Sequence, residues 1–411
     1  MQTQHSDYAH KKVFPKSHEA KIWSKLSLKP AQKTPQKKSP PKVLGLKNSA
    51  WKLPSFDLDF WQRSFLGLLI SICLIGLFFV FEASTAESFR MIGNPYHFLR
   101  QQSLWMVLGI GTGLVGWLWP LDFWRRSALA LYGVAIFCLV AVFLPGIGLE
   151  LNGAHRWLHL GAFVLQPAEV TKFALIVFFA SWFTKHQRLG AFLLFLSLPL
   201  GLILLQPDLG SLLVVLGIIL GMYVLANGNL TKLLPVGLIG FLVLMLIIVL
   251  SPYRLARLTT YLNPELDPLG KGFHVRQVTL GLGNGGLFGQ GIGNSTQKYL
   301  YIPEASSDSI FAIVGEEVGF IGASLIIFLF VTLIWLIFKL VTRAPAGSFQ
   351  RLVGMGIFLW VSSQIVLNLA AVVALVPLTG VPLPFFSYGG SSLLMLFFIM
   401  GIVLQISRKP T

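Results

Sequence analysis

Ten long apolar runs constrain this chain more than any other feature. A membrane-spanning helix needs about 20 mostly apolar residues. Runs of that kind lie near 64–82, 103–120, 127–145, 168–184, 190–206, 209–226, 233–251, 309–339, 351–376 and 388–406. A water-soluble domain has no interior large enough to hide them all. Composition agrees, with 55% of residues hydrophobic and 12% charged, against roughly 25% charged in soluble domains. The expected fold class is an all-α polytopic membrane protein of about ten transmembrane helices. The fifth and sixth runs nearly touch, and the eighth is long enough to begin as a surface helix or to tilt.

Charge sets the expected orientation. Residues 1–52 hold twelve Lys, from Lys11 to Lys52, against Asp7 and Glu19, so this stretch supplies about +10 of the formal +16. Its Pro and Ser content and few apolar residues read as disorder. The expected organisation is a basic cytoplasmic tail over 1–60 and a membrane domain over 61–408. The tail's basic charge suits anionic lipid, at about 1 kcal/mol per nearby Lys, so membrane lipids are expected partners and nucleic acid is not. Ten spans place both termini on one side. With the tail inside, Arg125, Arg126, Lys185, Arg188, Lys232, Lys339, Arg343 and Arg351 crowd the short inner loops, as the positive-inside rule requires. The longer outer loops then run over 146–167, 252–308 and 377–387. Trp51, Phe56, Phe60 and Trp61 fit an interfacial aromatic belt. The first apolar run starts too late for a cleavable signal peptide. Cys73 and Cys138 sit in apolar runs and read as buried small hydrophobes.

The loop 252–308 contains aromatics, prolines and charges of both signs, so it is expected to fold onto the membrane domain. Gly281, Gly283 and Gly286 spell a dinucleotide-binding pattern, which needs a preceding strand, a following helix and a downstream acid. Outside the cytoplasm that reading fails. Seven glycines between Gly281 and Gly293 instead predict a turn region where backbone approaches backbone closely.

Polar residues inside or beside the runs are the candidate site. Asp308 opens the eighth run, where an acid stabilises a helix N-terminus by about 0.3–1 kcal/mol. At about 100° per residue, Ala312, Gly315 and Gly319 fall within about 40° of its direction. That small-residue stripe is either a helix-packing face or the wall of a cavity opening at Asp308. Glu316 and Glu317 cost several kcal/mol in a membrane unless paired, so they face the bundle or a polar cavity. Glu169 and Lys172 are i,i+3 neighbours on a helix that Pro167 begins. They form either a local ion pair or the lining of a polar cavity. Further islands are Gln206 with Asp208, Gln364 with Asn368, and Ser387 with Tyr388. Close helix contact explains the small residues among them, and an interfacial anchor is the default for Tyr388.

These motifs together resemble the SEDS (shape, elongation, division, sporulation) family. Asn152–Trp157, Gln166–Lys172, Gln206–Gly210, Gly289–Ser295, Tyr301–Ala305 with Asp308, Phe311–Gly319 and Pro384–Ser392 occur in family order across roughly residues 60–408. The details are more like division and sporulation members than elongation members. One departure is Ser306-Ser307, where many members have His-Thr.

The resemblance implies a peptidoglycan glycosyltransferase. It would polymerise lipid II (undecaprenyl-pyrophosphoryl disaccharide-pentapeptide) on the outer face of the cytoplasmic membrane, during septal wall synthesis. Its implied partners are a class B penicillin-binding protein and other divisome proteins. The transfer is inverting, with lipid pyrophosphate leaving, and needs a base, cationic groups and an apolar groove. Asp308 is the expected base, a role worth about 10²–10⁴ in rate. Lys172, Arg156 and Lys298 are the expected electrostatic clamps, with Glu169 and Glu304 shaping the cavity field. Glu316, Gln206, Asp208, Ser387 and Tyr388 are secondary cavity candidates. A divalent cation, Mg²⁺ or Mn²⁺, would share the load on the pyrophosphate, although no metal-ligand motif appears. Two alternatives compete with this reading. A lipid II flippase needs a polar path through the full membrane depth, whereas the charges cluster toward the outer side. A divisome scaffold has no need of a buried carboxylate.

Overall fold

The computed structural model describes residues 57–408 except 152–153, 162, 186–187, 227, 264–270 and 300–304. Nearly all of the expected basic tail therefore lies outside the described residues. Each apolar run coincides with a helix. In chain order these are α1 (Phe60–Ile92), α2 (His97–Leu118), a short α3 (Leu121–Arg126), α4 (Ala128–Ala141), α5 (Pro167–Phe183), α6 (Leu189–Leu205), α7 (Leu209–Leu225), α8 (Leu230–Leu250), α9 (Pro252–Leu262), α10 (Lys271–Asn284), α11 (Ile310–Val341), α12 (Phe349–Val372) and α13 (Gly390–Ile406). By length and composition α1, α8, α11 and α12 are each sufficient to cross a membrane, while α4, α6, α7 and α13 are apolar but shorter.

The all-α expectation needs one correction. Between α4 and α5 the chain forms an antiparallel sheet of β1 (Gly148–Leu151), β2 (Ala154–Leu160) and β3 (Phe163–Leu165), in that order. Leu149 pairs with Trp157 and His159 with Val164. The segment is too short and polar for a span, and hairpin pairing satisfies its backbone locally.

Why the bundle closes is visible in two helices. Almost all of α5 is buried, as expected of a helix that is apolar on every face. The pair α2 and α13 meets backbone to backbone. A Cβ on Gly401 would lie 1.9 Å from the carbonyl oxygen of Gly113, so only glycine allows that approach. At one end of the bundle, Asp59 caps α1 by accepting from the backbone N–H of Gln62 at 3.0 Å. Arg343 pairs with Asp59 and donates to the carbonyl of Ser407 at 3.2 Å, and Gln62 donates to the Ser407 hydroxyl at 2.8 Å. These bonds tie the start of α1 to the ends of α11 and α13.

The feature that shapes the opposite end is a break in α11. Gly319 has φ 67° and ψ −171°, which interrupts the helix. The glycine-rich segment after α10 fills the gap. The N–H groups of Gln290 and Gly291 donate to the carbonyls of Glu316 and Glu317 at 2.9 and 3.1 Å, while those of Phe320 and Ile321 donate to Gly286 and Leu287 at 2.9 and 3.2 Å. Gly289, at φ +84°, approaches so closely that a Cβ would lie 2.1 Å from the Glu317 carbonyl. The glycine run is thus a backbone-packing device.

Candidate functional site

Asp308 immediately precedes α11 and is 7% exposed. Three segments converge on it. Asn368, from α12, donates to the Asp308 carbonyl at 2.7 Å and to the Val381 carbonyl at 2.8 Å. The N–H of Tyr388 donates to the Ser306 carbonyl at 2.9 Å. Ser309 donates to Asp308 Oδ1 at 3.3 Å, and Nε2 of His274, on α10, stands 2.8 Å from the same serine oxygen. Gly380 lies beside Asp308, its φ of +70° favouring glycine there.

Inward from Asp308 lies a file of buried polar groups. Asn368, Gln364 and Trp360 follow at i,i+4 spacing on α12 and share one face. Opposite them on α5, Lys172 sits 4.7 Å from the Trp360 ring centroid and 2.7 Å from Glu169. Glu169 is one turn nearer the Asp308 end. Lys172 also feels the charge of Asp208, which caps α7 by accepting from the N–H and hydroxyl of Ser211 at 3.0 and 2.7 Å. Gln166 reaches Asp208 at 3.5 Å. Glu169 Oε2, Gln364 Oε1 and Asn368 Oδ1 are buried acceptors with no hydrogen-bond donor. Each such acceptor costs about 1–3 kcal/mol. The pair Glu169–Lys172 forms the buried ion pair that i,i+3 spacing predicts.

Several sequence-derived candidates belong elsewhere. Lys298 is tied to a different cluster of acids. It forms ion pairs with Glu82 and Glu317 at 3.1 and 3.2 Å and donates to the Gly293 carbonyl at 2.7 Å. Burial disfavours its charge, but the bonds and charges of Glu82 and Glu317 outweigh that and hold the ammonium above its ordinary value. Glu316, about 12 Å along the chain from Asp308 at helical rise, accepts from the hydroxyls of Ser295 and Thr296 and the N–H groups of Thr296 and Gln297. Both its oxygens anchor the loop, so it lines no cavity there. The small-residue stripe is a packing face, since Leu282 covers Gly315 and Gly285 lies against its carbonyl.

The remaining candidates hold turns together. Arg156 donates to the carbonyls of Gln206 and Pro207, which commits its guanidinium to the α6–α7 turn. Gln206 donates to the Leu139 carbonyl at 2.8 Å. Ser387 accepts from the Leu383 N–H at 2.9 Å, and its carbonyl accepts from Gln102 at 3.1 Å. The Tyr388 hydroxyl donates to Gln101. Glu304, Asn152 and Gly153 lie outside the described residues. Sequence reasoning missed His274 and Glu82. The available signals were that His274 is the sole histidine in 252–308 and that Glu82 is an acid at the edge of the first apolar run.

A bundle of apolar helices, closed at one end by a folded loop around a buried carboxylate, with buried polar side chains beneath it, defines a polytopic membrane protein. Residues 62–411 match the FtsW, RodA and SpoVE family, described as cell cycle proteins, and the chain belongs to that family. It is 38% identical over 357 residues to stage V sporulation protein E of Bacillus subtilis (strain 168), covering 83% of this chain and 96% of that one. It is 37% identical over 362 residues to the probable peptidoglycan glycosyltransferase FtsW of Thioalkalivibrio sulfidiphilus (strain HL-EbGR7), covering 85% and 90%. Among solved structures, a peptidoglycan synthase complex that coordinates polymerization and crosslinking aligns with TM-score 0.71 and 28% identity over 84% of this chain and 97% of that one. The rod shape determining protein RodA of Thermus thermophilus aligns with TM-score 0.63 and 27% identity over 86% and 98%.

Proposed function

We propose that this protein polymerises lipid II at the outer face of the cytoplasmic membrane, with Asp308 as the base. Its class is a peptidoglycan glycosyltransferase of cell-wall synthesis, as family membership and the FtsW-named relatives establish. Ten spans with both termini cytoplasmic, and a septal location, belong to the proposal. The charge distribution supports the orientation, and the division-type relatives support the location.

The observation that carries the reading is the Asp308 carboxylate at the head of the buried polar file. In the proposed step, Asp308 takes the proton from the acceptor sugar hydroxyl. The freed oxygen attacks the donor's anomeric carbon from the face opposite the lipid pyrophosphate. The new glycosidic C–O bond forms as the bond to pyrophosphate breaks, and the electron pair leaves with the phosphate. Asn368 fixes the backbone of Asp308 during this step, which is the kind of positioning that proximity catalysis requires. The open acceptors of Gln364 and Asn368 suit sugar hydroxyl and amide donors.

Mg²⁺ or Mn²⁺ would supply positive charge against the departing pyrophosphate; among the described residues no three His, Cys, Asp or Glu side chains converge to hold a metal. A class B penicillin-binding protein is the proposed partner, by analogy with the synthase complex that joins polymerization to crosslinking. Against the flippase alternative, the polar file gives way beyond Lys172 to the apolar sequence Phe173–Phe179 on α5.

The deciding experiment incubates purified protein with lipid II and Mg²⁺ or Mn²⁺, with and without the transpeptidase, beside Asp308→Ala. Glycan chains from wild type and none from the folded mutant are expected. Equal chains from the mutant would remove Asp308 from the role. No chains at all, with lipid II crossing reconstituted vesicles, would favour the transporter.

A further inference from the structure

We propose that His274 receives, through the hydroxyl of Ser309, the proton that Asp308 takes from the acceptor sugar. This inference rests on the assignment of Asp308 as the base and adds an exit for its proton. The geometry is a chain of three groups. Ser309 Oγ lies 3.3 Å from Asp308 Oδ1 and 2.8 Å from His274 Nε2, and Ser309 itself is fully buried. His274 is half-buried and sits on α10, outside the bundle proper. The chain therefore runs from the buried carboxylate toward the outer surface.

A base that keeps its proton cannot act in the next cycle. Glycan polymerisation repeats the same transfer many times, so the proton must leave each time. A carboxylic acid enclosed by protein loses its proton fastest through a neighbouring acceptor. A hydroxyl both donates and accepts, and neutral imidazole takes a proton near neutral pH. In the proposed relay, protonated Asp308 gives its proton to Ser309 Oγ. Ser309 gives its own hydroxyl proton to the unprotonated Nε2 of His274. The imidazolium then releases a proton to solvent, and rotation of the hydroxyl resets the chain. No bond other than O–H and N–H changes, and charge is conserved at every transfer.

α10 packs on α11 and α9. Asp308 lies just before α11, while Glu316 and Glu317, on α11, engage the far end of the α10 segment near Gly285 and Gly289. From α9, Tyr261 lies beside Val275, with its hydroxyl committed to the Ala374 carbonyl at 3.1 Å. On α10 itself, Arg276 is exposed and about 200° round the helix from His274. His274 acts through Ser309 and is therefore a positioning and proton-receiving residue, distinct from the base.

The test is the pH dependence of lipid II polymerisation by the full-length protein with its transpeptidase partner, from pH 5.5 to 8.5. Wild type should lose activity on the acid side, where a protonated imidazole can no longer accept, with a limb falling about tenfold per pH unit. His274→Gln keeps a hydrogen-bonding side chain but cannot titrate, and should flatten that limb. Ser309→Ala should flatten it too, and Ser309→Thr should restore it. If His274→Gln fails to fold, as judged by its melting temperature, the Ser309→Ala and Ser309→Thr pair decides. An unchanged acid limb in the folded variants would overturn the relay while leaving polymerisation, and its loss in Asp308→Ala, intact. Wild-type activity in Asp308→Ala would instead overturn the underlying assignment.

Discussion

Asn368 holds the backbone carbonyl of Asp308 at 2.7 Å. The same amide nitrogen binds Val381 at 2.8 Å, so one side chain fixes the start of α11 to the loop before α13. Asn368→Ala leaves the carbonyls of Asp308 and Val381 without their donor, worth about 1–3 kcal/mol each. We expect polymerisation to fall by about tenfold or more, with membrane insertion preserved. The measurement is glycan yield per folded molecule. Full activity in the variant would show that Asp308 is positioned by other contacts.

The buried pair on α5 predicts a stability pattern. Lys172→Met leaves Glu169 buried and alone, a change that costs about 3–5 kcal/mol when an ion pair is broken from one side. Glu169→Gln with Lys172→Met removes both charges and should recover most of that loss in melting temperature. Polymerisation should stay impaired in the double variant, because the pair also lines the polar file. Recovery of both stability and activity would make the pair purely structural.

Gly319 predicts a sharp local intolerance. At φ 67° an L side chain costs about 1–2 kcal/mol, and a Cβ there would lie 2.2 Å from the Gly289 nitrogen. Gly319→Ala should lower the melting temperature or abolish accumulation, while Phe320→Ala, at an exposed neighbour, should not. Comparable melting curves for the two variants would contradict the packing described.

The Lys298 cluster predicts a pH response of definite sign. The lysine is held above its ordinary value near 10.5. Its contribution to stability is therefore complete below that pH and is lost only as pH rises through the still higher folded value. Between pH 6 and 9 the cluster should add no pH dependence to the melting temperature. Lys298→Met should destabilise the protein at pH 7 by stranding Glu82 and Glu317, and the difference from wild type should shrink above pH 10.5. A difference that instead grew with alkalinity would refute the ion-pair account.

The sequence made some of this legible because apolar length is a strong local signal. Every run long enough to span became a helix, and Asp308, Glu169 and Lys172 were marked because charge near lipid is rare. Pairing across distance was harder to see. Lys298 meets Glu82 across 216 positions, and no local pattern announces that encounter. The β1–β3 sheet was missed because its strands are short and lie among loop residues. The stripe beneath Asp308 was compatible with packing or with a cavity, and only the placement of Leu282 against Gly315 decides for packing. His274 carries no motif of its own and gains meaning only from the serine it touches.

The break in α11 has a mechanical consequence. Four backbone hydrogen bonds join the glycine segment to the two sides of Gly319, and backbone groups stripped of partners at membrane depth cost several kcal/mol each. The segment 285–291 therefore clasps both arms of α11 and splints the break at Gly319. Protection of the Phe320 and Ile321 amides from hydrogen exchange, matching that of the helices, would report this rigidity. A protein gripping the loop from outside the membrane thus holds both arms of α11 at once, and the shorter arm begins just after Asp308.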